Sequence, residues 1–166
     1  EISVDGIQPD RKNTAGLREM KPPHNVSELR SILGVLSYYR KFVVDYARKA
    51  HPLTQLLRVK SGAKFEWLVD VHQVAFDLLR DELLSHPILA HPDFNKPFRI
   101  TTDASKKGLG AVLSQIHGER EAMVACISRS LSPAELNYST YELEYLAVVW
   151  SCKVLKHFLL GTHFDL

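Results

Sequence analysis

Two carboxylates of this chain occupy positions from which both could bind one divalent ion. Asp103 follows the alternating run over residues 98–102, which predicts a strand, and Glu144 lies one turn into a predicted helix. A carboxylate at a strand end and another early in a helix that crosses the sheet can converge, and Mg²⁺ prefers such oxygen ligands. Asp in turns and Glu in first helical turns are also common for structural reasons. The spacing alone leaves both interpretations open.

A second candidate surface is one stripe of the helix that is predicted to follow Asn25. The stripe contains Gly34, Ser37, Tyr38 and Lys41, opposite the apolar residues of the same helix. Small side chains allow close approach of a backbone, while a cation and a tyrosine hydroxyl suit phosphate and sugar contacts. The alternative is an ordinary solvated polar face, which is the default for an amphipathic helix.

Other kinds of site have little support in the sequence. The eight histidines form no H-x-x-x-H pair, so a zinc site is not indicated. Cys126 and Cys152 lie in apolar stretches without C-x-x-C spacing, which predicts buried free thiols. The longest apolar run, about residues 145–150, is far shorter than the roughly 20 residues that span a bilayer.

The elements around Asp103 and Glu144 predict an α/β unit. Strands are expected over residues 98–103, 110–115 and 122–127, which can form an antiparallel meander. Ser139 and Glu142 have the spacing of a capping box, and the apolar residues after them repeat at helical spacing as far as Gly161. Residues 162–166 resemble the start of a fourth strand.

The front half is predicted to be mainly helical. A short strand over residues 2–4 leads into an Asp5-Gly6 turn, and Asn25 with Glu28 predicts a helix start whose apolar spacing continues to Val43. A short helix is expected from His51 until Ser61-Gly62. Asp70 could cap a longer helix over 71–85, and Pro87, Pro92 and Pro97 mark a boundary.

Composition and charge are those of a globular chain with an uneven charge distribution. The 166 residues are 45% hydrophobic and 24% charged, which excludes a disordered tail, a collagen-like chain or a disulfide-stapled miniprotein. Net charge is +2. Residues 1–60 carry 11 basic against 6 acidic residues and residues 61–166 carry 10 against 13, so the chain has a basic front and an acidic back.

Ten short runs, in the same order and spacing, resemble the reverse transcriptases of gypsy-class long-terminal-repeat retrotransposons. They are LRSILG (29–34), YYRKF (38–42), HPL (51–53), FEW (65–67), AF (75–76), TDAS (102–105), GLGAVLSQ (108–115), SRSL (128–131), ELNY (135–138) and ELEYLAVV (142–149). Together they extend over nearly the whole chain. A single run of this length would be weak support, but ten in order identify the family.

The resemblance implies a fold of mixed α+β or α/β class made of several parts. Residues 1–6 would end the polymerase palm, 7–50 would form the thumb and 51–96 a connection. Residues 97–166 would be an RNase H-like domain, truncated at its C-terminal side: a three-strand meander, a long helix and the start of a fourth strand.

The resemblance also implies roles for the candidate residues. Asp103 and Glu144 match two of four carboxylates that hold Mg²⁺, or Mn²⁺ as a substitute, in the complete RNase H domain. The third would follow Leu166 in a Thr-Asp-His run, and Asp165 is not its equivalent. The stripe of Gly34, Ser37, Tyr38 and Lys41 would face template and primer. The fragment alone is therefore expected to be inactive as a ribonuclease.

Partners and location follow from the same resemblance. The expected partners are an RNA–DNA hybrid, a template–primer duplex and the remainder of a Pol polyprotein, with no membrane. The expected location is intracellular, in a cytoplasmic particle or the nucleus, because no signal peptide or transmembrane segment is visible. The alternative is a non-catalytic, transposon-derived module that binds nucleic acid or acts as a scaffold.

Overall fold

A helical front half packs against one face of a four-stranded sheet, and two further helices cover the other face. The computed structural model describes residues 1–58, 64–85 and 87–166, without the side chains of residues 11 and 13. The helices are α1 (Arg11–Arg18), α2 (Val26–Tyr38), α3 (Tyr46–Lys49), α4 (His51–Leu56), α5 (Val74–Leu84), α6 (Thr140–Val154) and α7 (Lys156–Leu159). The strands are β1 (Ile2–Ser3), β2 (Gly6–Ile7), β3 (Phe98–Ser105), β4 (Gly108–His117), β5 (Arg120–Arg129) and β6 (Phe164–Asp165).

The N-terminal hairpin is tied to the segment that follows α5. β1 and β2 pair antiparallel, and the turn between them is Val4-Asp5, one residue earlier than the predicted Asp5-Gly6 turn, because Gly6 already pairs with Ser3. Gly6 has a φ of 137°, and a Cβ there would overlap the Leu89 carbonyl, so glycine is required. Ile7 and Leu89 exchange two backbone hydrogen bonds of 2.7 and 2.8 Å. The segment after α5 therefore pairs with the hairpin at one position, beside β2.

The predicted start of α2 is confirmed, but its predicted length is wrong. Asn25 Oδ1 accepts a hydrogen bond from the Glu28 N–H at 2.9 Å. The helix ends at Tyr38, and the chain tightens into a 3-10 turn, Arg40–Phe42. This turn keeps Phe42 and Val43 buried, at 3% and 1% exposure. The apolar spacing therefore continues past the helix end because the next turn buries the same side of the chain.

Two further helix predictions need correction. Asp70 does not cap a helix over 71–85; it lies inside a π-helical turn, Val69–Gln73, and α5 begins after that turn. The turn is held by the Leu68 carbonyl, which accepts from three successive N–H groups, and by His72 Nδ1, which accepts the Leu68 N–H at 2.9 Å. Helix α1 was not predicted from the sequence. The Ser61-Gly62 stop signal lies outside the described residues.

The predicted meander, capping box and fourth strand are confirmed. The strand order is β5-β4-β3-β6, with β6 parallel to β3 and the other pairs antiparallel. Ser139 and Glu142 make both hydrogen bonds of the capping box. The helix after them is interrupted at Leu155, where α7 takes over. No helix within the described residues is long and apolar enough to cross a membrane.

The two sides of the sheet have different partners. The side covered by α6 and α7, called here the helix face, buries Phe98, Ile100, Ala111 and Leu113. The opposite side, called here the front face, carries Val112, Met123 and Cys126, which join the core of the front helices. The predicted mixed α+β class is confirmed, and the sheet forms the boundary between two cores.

Candidate functional site

Asp103 lies on the front face near the end of β3. Its Cα pairs with that of Gly110 on β4. Because side chains alternate along a strand, Asp103 points away from its neighbour Ala104, which packs with Leu143 and Ala147 of α6. The Asp103 side chain is 46% exposed. The carboxylate is thus accessible, on an interior strand, and opposite the side that α6 covers.

An arginine of the front half binds the Asp103 carboxylate. Arg48 in α3 places one guanidinium nitrogen 2.9 Å from Asp103 Oδ2 and the other 2.7 Å from Asp45 Oδ2. One guanidinium therefore bridges two carboxylates that come from segments more than 50 residues apart in the sequence.

Asp45 occupies this position because of two local features. Its backbone is left-handed, with a φ of 54°, a conformation that Asp tolerates better than most residues. Gly110 has no side chain, and a Cβ there would overlap Asp45 Oδ1. Burial raises the pKa of Asp45, the Asp103 carboxylate raises it further, and Arg48 lowers it. In this bridge the attraction of Arg48 for both carboxylates therefore opposes the repulsion between Asp45 and Asp103.

The sheet binds the front half at a neighbouring point as well. The Ala47 N–H donates to Ser128 Oγ at 3.1 Å. A Cβ at Gly108 would lie 2.7 Å from the Arg129 carbonyl and 3.1 Å from Ala47 Cβ. Close approach of α3 thus depends on two glycines of β4, Gly108 and Gly110.

Glu144 lies on the exposed side of α6. The stripe of α6 that is buried consists of Leu143, Ala147 and Ser151, and Glu144 is next to it on the helix surface. Within the described residues no hydrogen bond or ion pair joins Glu144 to Asp103, and no group of three or more His, Cys, Asp and Glu side chains could hold a metal ion. Asp103 and Glu144 have the right donor chemistry for Mg²⁺, but by themselves they do not make a two-metal site.

The predicted nucleic-acid stripe is on the surface at the end of α2. Gly34, Ser37 and Lys41 are exposed, and Tyr38 is 77% exposed. Ser37 Oγ is 2.9 Å from the Tyr46 hydroxyl, which ties the stripe to α3.

Two of these residues also border a groove. Tyr38 and Lys41 line a cavity of about 290 Å³ between the end of α2 and the N-terminal hairpin. The stripe is therefore an accessible surface beside a groove rather than part of the core.

Sequence reasoning missed Arg48 and Asp45. The pair has i,i+3 spacing, which indicates only a local ion pair. Nothing in the sequence indicates that both reach Asp103. The small residues of β4 were the available signal, because glycines on a buried strand mark a close approach of another backbone.

Comparison with known proteins gives consistent matches, and the matches to relatives extend over nearly the whole chain. Residues 68–166 match the family described as the RNase H-like domain found in reverse transcriptase. The chain is 45% identical to the retrovirus-related Pol polyprotein from transposon opus of Drosophila melanogaster, over 96% of the chain and 17% of that protein. It is 39% identical to the corresponding polyprotein from transposon gypsy of the same organism, over 97% of the chain and 16% of that protein. The chain therefore spans about one sixth of the length of these relatives.

A solved structure has the same fold. It is the foamy viral protease-reverse transcriptase in complex with RNA/DNA hybrid, with a TM-score of 0.77 and 20% sequence identity. The similarity covers 98% of this chain and 22% of that one. Helices and sheet are therefore arranged relative to one another as in a known architecture.

Proposed function

Because the chain belongs to the RNase H-like domain family of reverse transcriptases, within the Pol polyproteins of gypsy-class retrotransposons, we propose that it binds RNA–DNA hybrid and contributes half of a ribonuclease site. In this proposal residues 1–6 end the palm, 7–50 are the thumb, 51–96 the connection and 97–166 the front of the RNase H-like domain. The parent protein copies RNA into DNA and degrades the RNA strand of the hybrid.

The observation that carries the nuclease part is the half-exposed Asp103 on an interior strand of the sheet. Structural aspartates at strand ends are usually bonded to their own turn, whereas Asp103 is held by a side chain from another part of the fold. Ala104, next to Asp103, packs against Leu143 beside Glu144, so the start of α6 lies at the same end of β3 as Asp103. In this proposal Asp103 and Glu144 would bind Mg²⁺ at that end of the sheet, together with the further carboxylates that the family resemblance places after Leu166. Mg²⁺ bound there would activate water and stabilise the leaving oxygen.

The observation that supports hybrid binding is the exposed stripe, which runs along the end of α2 and includes Lys41 in the 3-10 turn after it. Tyr38 and Lys41 border an open groove, and the basic excess of the chain lies in the same half. An exposed tyrosine and lysine are suited to the sugar–phosphate backbone of a duplex, which is recognised through its charge and shape.

Hybrid binding is tested with the 166-residue chain and a fluorescent RNA–DNA duplex by anisotropy. We expect Lys41→Ala and Tyr38→Ala to weaken binding about threefold to tenfold and Lys153→Ala, which removes an exposed lysine from α6, to leave it unchanged. Affinity should fall steeply with salt, because phosphate contacts release counterions. Equal effects of Lys41→Ala and Lys153→Ala would exclude a specific role for the stripe.

The nuclease part is tested in a longer chain that continues through the complete domain. Asp103→Asn should abolish Mg²⁺-dependent cleavage of the hybrid, whereas Asp165→Asn, which removes the same charge from β6, should preserve it. Cleavage that persists in the Asp103→Asn chain would exclude Asp103 as a metal ligand of the ribonuclease site.

A non-catalytic binding or scaffold module is the second candidate, and the Arg48 bridge favours it. The Arg48 guanidinium, which Asp103 shares with Asp45, already pairs with that carboxylate, so Asp103 has a structural partner without any metal. This candidate predicts that the longer chain binds hybrid with unchanged affinity in Mg²⁺ and in EDTA and cleaves none of it.

A further inference from the structure

The cation that pairs with Asp103 belongs to the helical front half and not to the sheet. Arg48 lies in α3, and one of its guanidinium nitrogens is 2.9 Å from Asp103 Oδ2. Within the described part of the chain, Asp103 forms no other ion pair. A guanidinium keeps its charge at any pH near neutrality. The candidate metal ligand therefore already has a permanent positive partner, supplied by another part of the fold.

The Asp103 oxygen that Arg48 contacts cannot hold a divalent ion at the same time. Mg²⁺ binds carboxylate oxygens at about 2.1 Å and keeps several of its waters. That hydrated ion needs the space beside Oδ2 that the guanidinium occupies. Binding through the other oxygen would still place a doubly charged ion next to the guanidinium, and like charges repel. A metal ion and Arg48 therefore compete for Asp103.

Arg48 has a second partner that can retain it after it leaves Asp103. Its other terminal nitrogen is 2.7 Å from Asp45 Oδ2, and the Asp45 side chain is only 14% exposed. The Asp103 side chain is 46% exposed, and an exposed ion pair is weak because water screens it. The contact with Asp103 is thus the one that opens more easily, while Arg48 stays on Asp45.

The neighbours of Arg48 in α3 fix the helix on both sides. Toward the sheet, the Ala47 N–H donates to Ser128 Oγ at 3.1 Å. Toward the front half, Lys49 forms an ion pair with Glu82 of α5. These contacts place the guanidinium over the front face of the sheet, so the pairing with Asp103 follows from how the two halves of the chain pack.

We propose that Arg48 is an autoinhibitory latch of the candidate metal site: it pairs with Asp103 in the metal-free chain, and a divalent ion binds there only when the guanidinium releases the carboxylate. The inference rests on the proposed function, because it takes Asp103 as a metal ligand. Its consequence is reciprocal. Whatever moves α3 away from the sheet raises the metal affinity, and bound metal weakens the attachment of α3 by the same factor.

The test measures Mn²⁺ binding to the longer chain that continues through the complete domain, from the EPR signal of free Mn²⁺. Arg48→Gln should raise the affinity about twofold to fivefold, because a half-exposed ion pair competes only weakly. A variant that merely damaged the fold would bind metal more weakly, so a gain is specific to the latch.

The matched control is Arg80→Gln. Arg80 also bridges two carboxylates, Asp77 at 2.8 Å and Asp81 at 3.0 Å, but on α5. This control should leave the affinity unchanged. Equal gains in Arg48→Gln and Arg80→Gln, or no gain in Arg48→Gln, would overturn the latch.

Asp103→Asn separates the latch from the proposed function. It should remove the Mn²⁺ binding that Arg48→Gln strengthens. If Asp103→Asn removes that binding and Arg48→Gln leaves it unchanged, the metal site stands and the latch alone fails. If Asp103→Asn has no effect on binding, Asp103 is not a metal ligand, and the proposed ribonuclease site fails together with the latch.

A second measurement follows the latch directly through the NMR signals of the arginine guanidinium groups, assigned by their loss in Arg48→Gln and in Arg80→Gln. Mg²⁺ should move the Arg48 signal of the longer chain and leave the Arg80 signal in place. In the Asp103→Asn chain Mg²⁺ should move neither signal. An Arg48 signal that keeps its metal-free position when Mg²⁺ saturates the site would mean that both cations share the carboxylate, and would overturn the competition.

Discussion

The two faces of the sheet are built from the same three strands but are held by different kinds of interaction. The helix face is mainly apolar, with Gln115 and Arg129 as polar members, and its core side chains are buried under two helices that follow the strands in sequence. The front face is mixed. Apolar residues lie at one end, and at the other a bridge of Asp45, Arg48 and Asp103 crosses two glycines.

The difference indicates that the helix face mainly stabilises the fold, whereas the front face can bind a ligand. An apolar face can only exclude water, whereas a half-exposed bridge of charges contributes little to stability and remains available for a ligand. The candidate carboxylate lies on the face where packing is incomplete. At the apolar end of the front face, burial raises the pKa of the Cys126 thiol to about 11, so this thiol is not a reactive thiolate at neutral pH.

The largest effect should come from neighbouring residues of β4 that point to opposite faces. Leu113 is fully buried on the helix face, and Val112 is partly buried on the front face. Leu113→Ala should lower the free energy of unfolding by about 2–5 kcal/mol, because a cavity remains, and Val112→Ala by about 1 kcal/mol. Urea unfolding at neutral pH measures both. Equal losses would remove the distinction between the faces.

A steric substitution tests the close approach over β4. Gly110→Ala should destabilise the fold by about 1–3 kcal/mol, because the new Cβ overlaps Asp45 Oδ1. Asp45→Gly should recover part of that loss in the double variant, since glycine removes the overlapping oxygen and accepts the left-handed backbone at position 45. A double-mutant cycle by urea unfolding gives the coupling energy. Additive effects would contradict the contact.

The helix face could be predicted from sequence, and the bridge on the front face could not. Alternation along β3 and the capping box of Ser139 and Glu142 are local signals, and both were confirmed. The end of α2 and the π-helical turn at Asp70 depend on which residues the next turn buries, so periodicity alone misplaced them. Arg48 meets Asp103 only because the tertiary fold brings α3 onto two glycines, and no local pattern encodes that contact.

The roles of the candidate residues are a separate matter. Asp103, Glu144, Gly34, Ser37, Tyr38 and Lys41 were chosen with the help of the family resemblance, and their roles stay predictions. The structure adds their exposure and their partners.

An arginine on the other side of the sheet provides a comparison for Arg48. Arg129 pairs with both oxygens of Glu135, at 2.7 and 2.9 Å, and its guanidinium lies over the Trp150 ring. This pairing and the Ser132 N–H hold the pKa of Glu135 at about 2, below its usual 4.5. A carboxyl with a lowered pKa stabilises the fold above pH 4.5, and this contribution is lost as the pH falls toward 2.

Glu135→Gln should therefore cost about 1 kcal/mol at pH 7, with solvent screening allowed for, and progressively less below pH 4.5. Urea unfolding of both chains between pH 7 and pH 3 measures the difference. A difference that does not change with pH would mean that the carboxylate charge is not what stabilises the pair.

The smallest effect on stability is expected from Arg48→Ala at the bridge itself, and the pH dependence of that effect depends on Asp45. Arg48→Ala should cost only about 0.2–1 kcal/mol at pH 7, because the Arg48 and Asp103 side chains are nearly half exposed. The pKa of Asp45 is already raised by burial and by Asp103, and loss of Arg48 raises it further. A raised pKa means that the charged form is disfavoured in the fold, so the deficit should shrink as the pH falls through the carboxyl range.

The decisive comparison is Arg48→Ala with and without Asp45→Asn. Asparagine accepts the left-handed backbone and carries no charge, so the double variant should be more stable than Arg48→Ala alone at pH 7. Loss of the Glu135 carboxylate, by contrast, always costs stability there. If Asp45→Asn lowers stability in the Arg48→Ala background, contacts other than the bridge stabilise the Asp45 carboxylate. Arg48 would then resemble Arg129, in that each pairs with a carboxylate whose loss costs stability. If Asp45→Asn raises stability, Arg48 compensates for two carboxylates that the fold forces together at the candidate site.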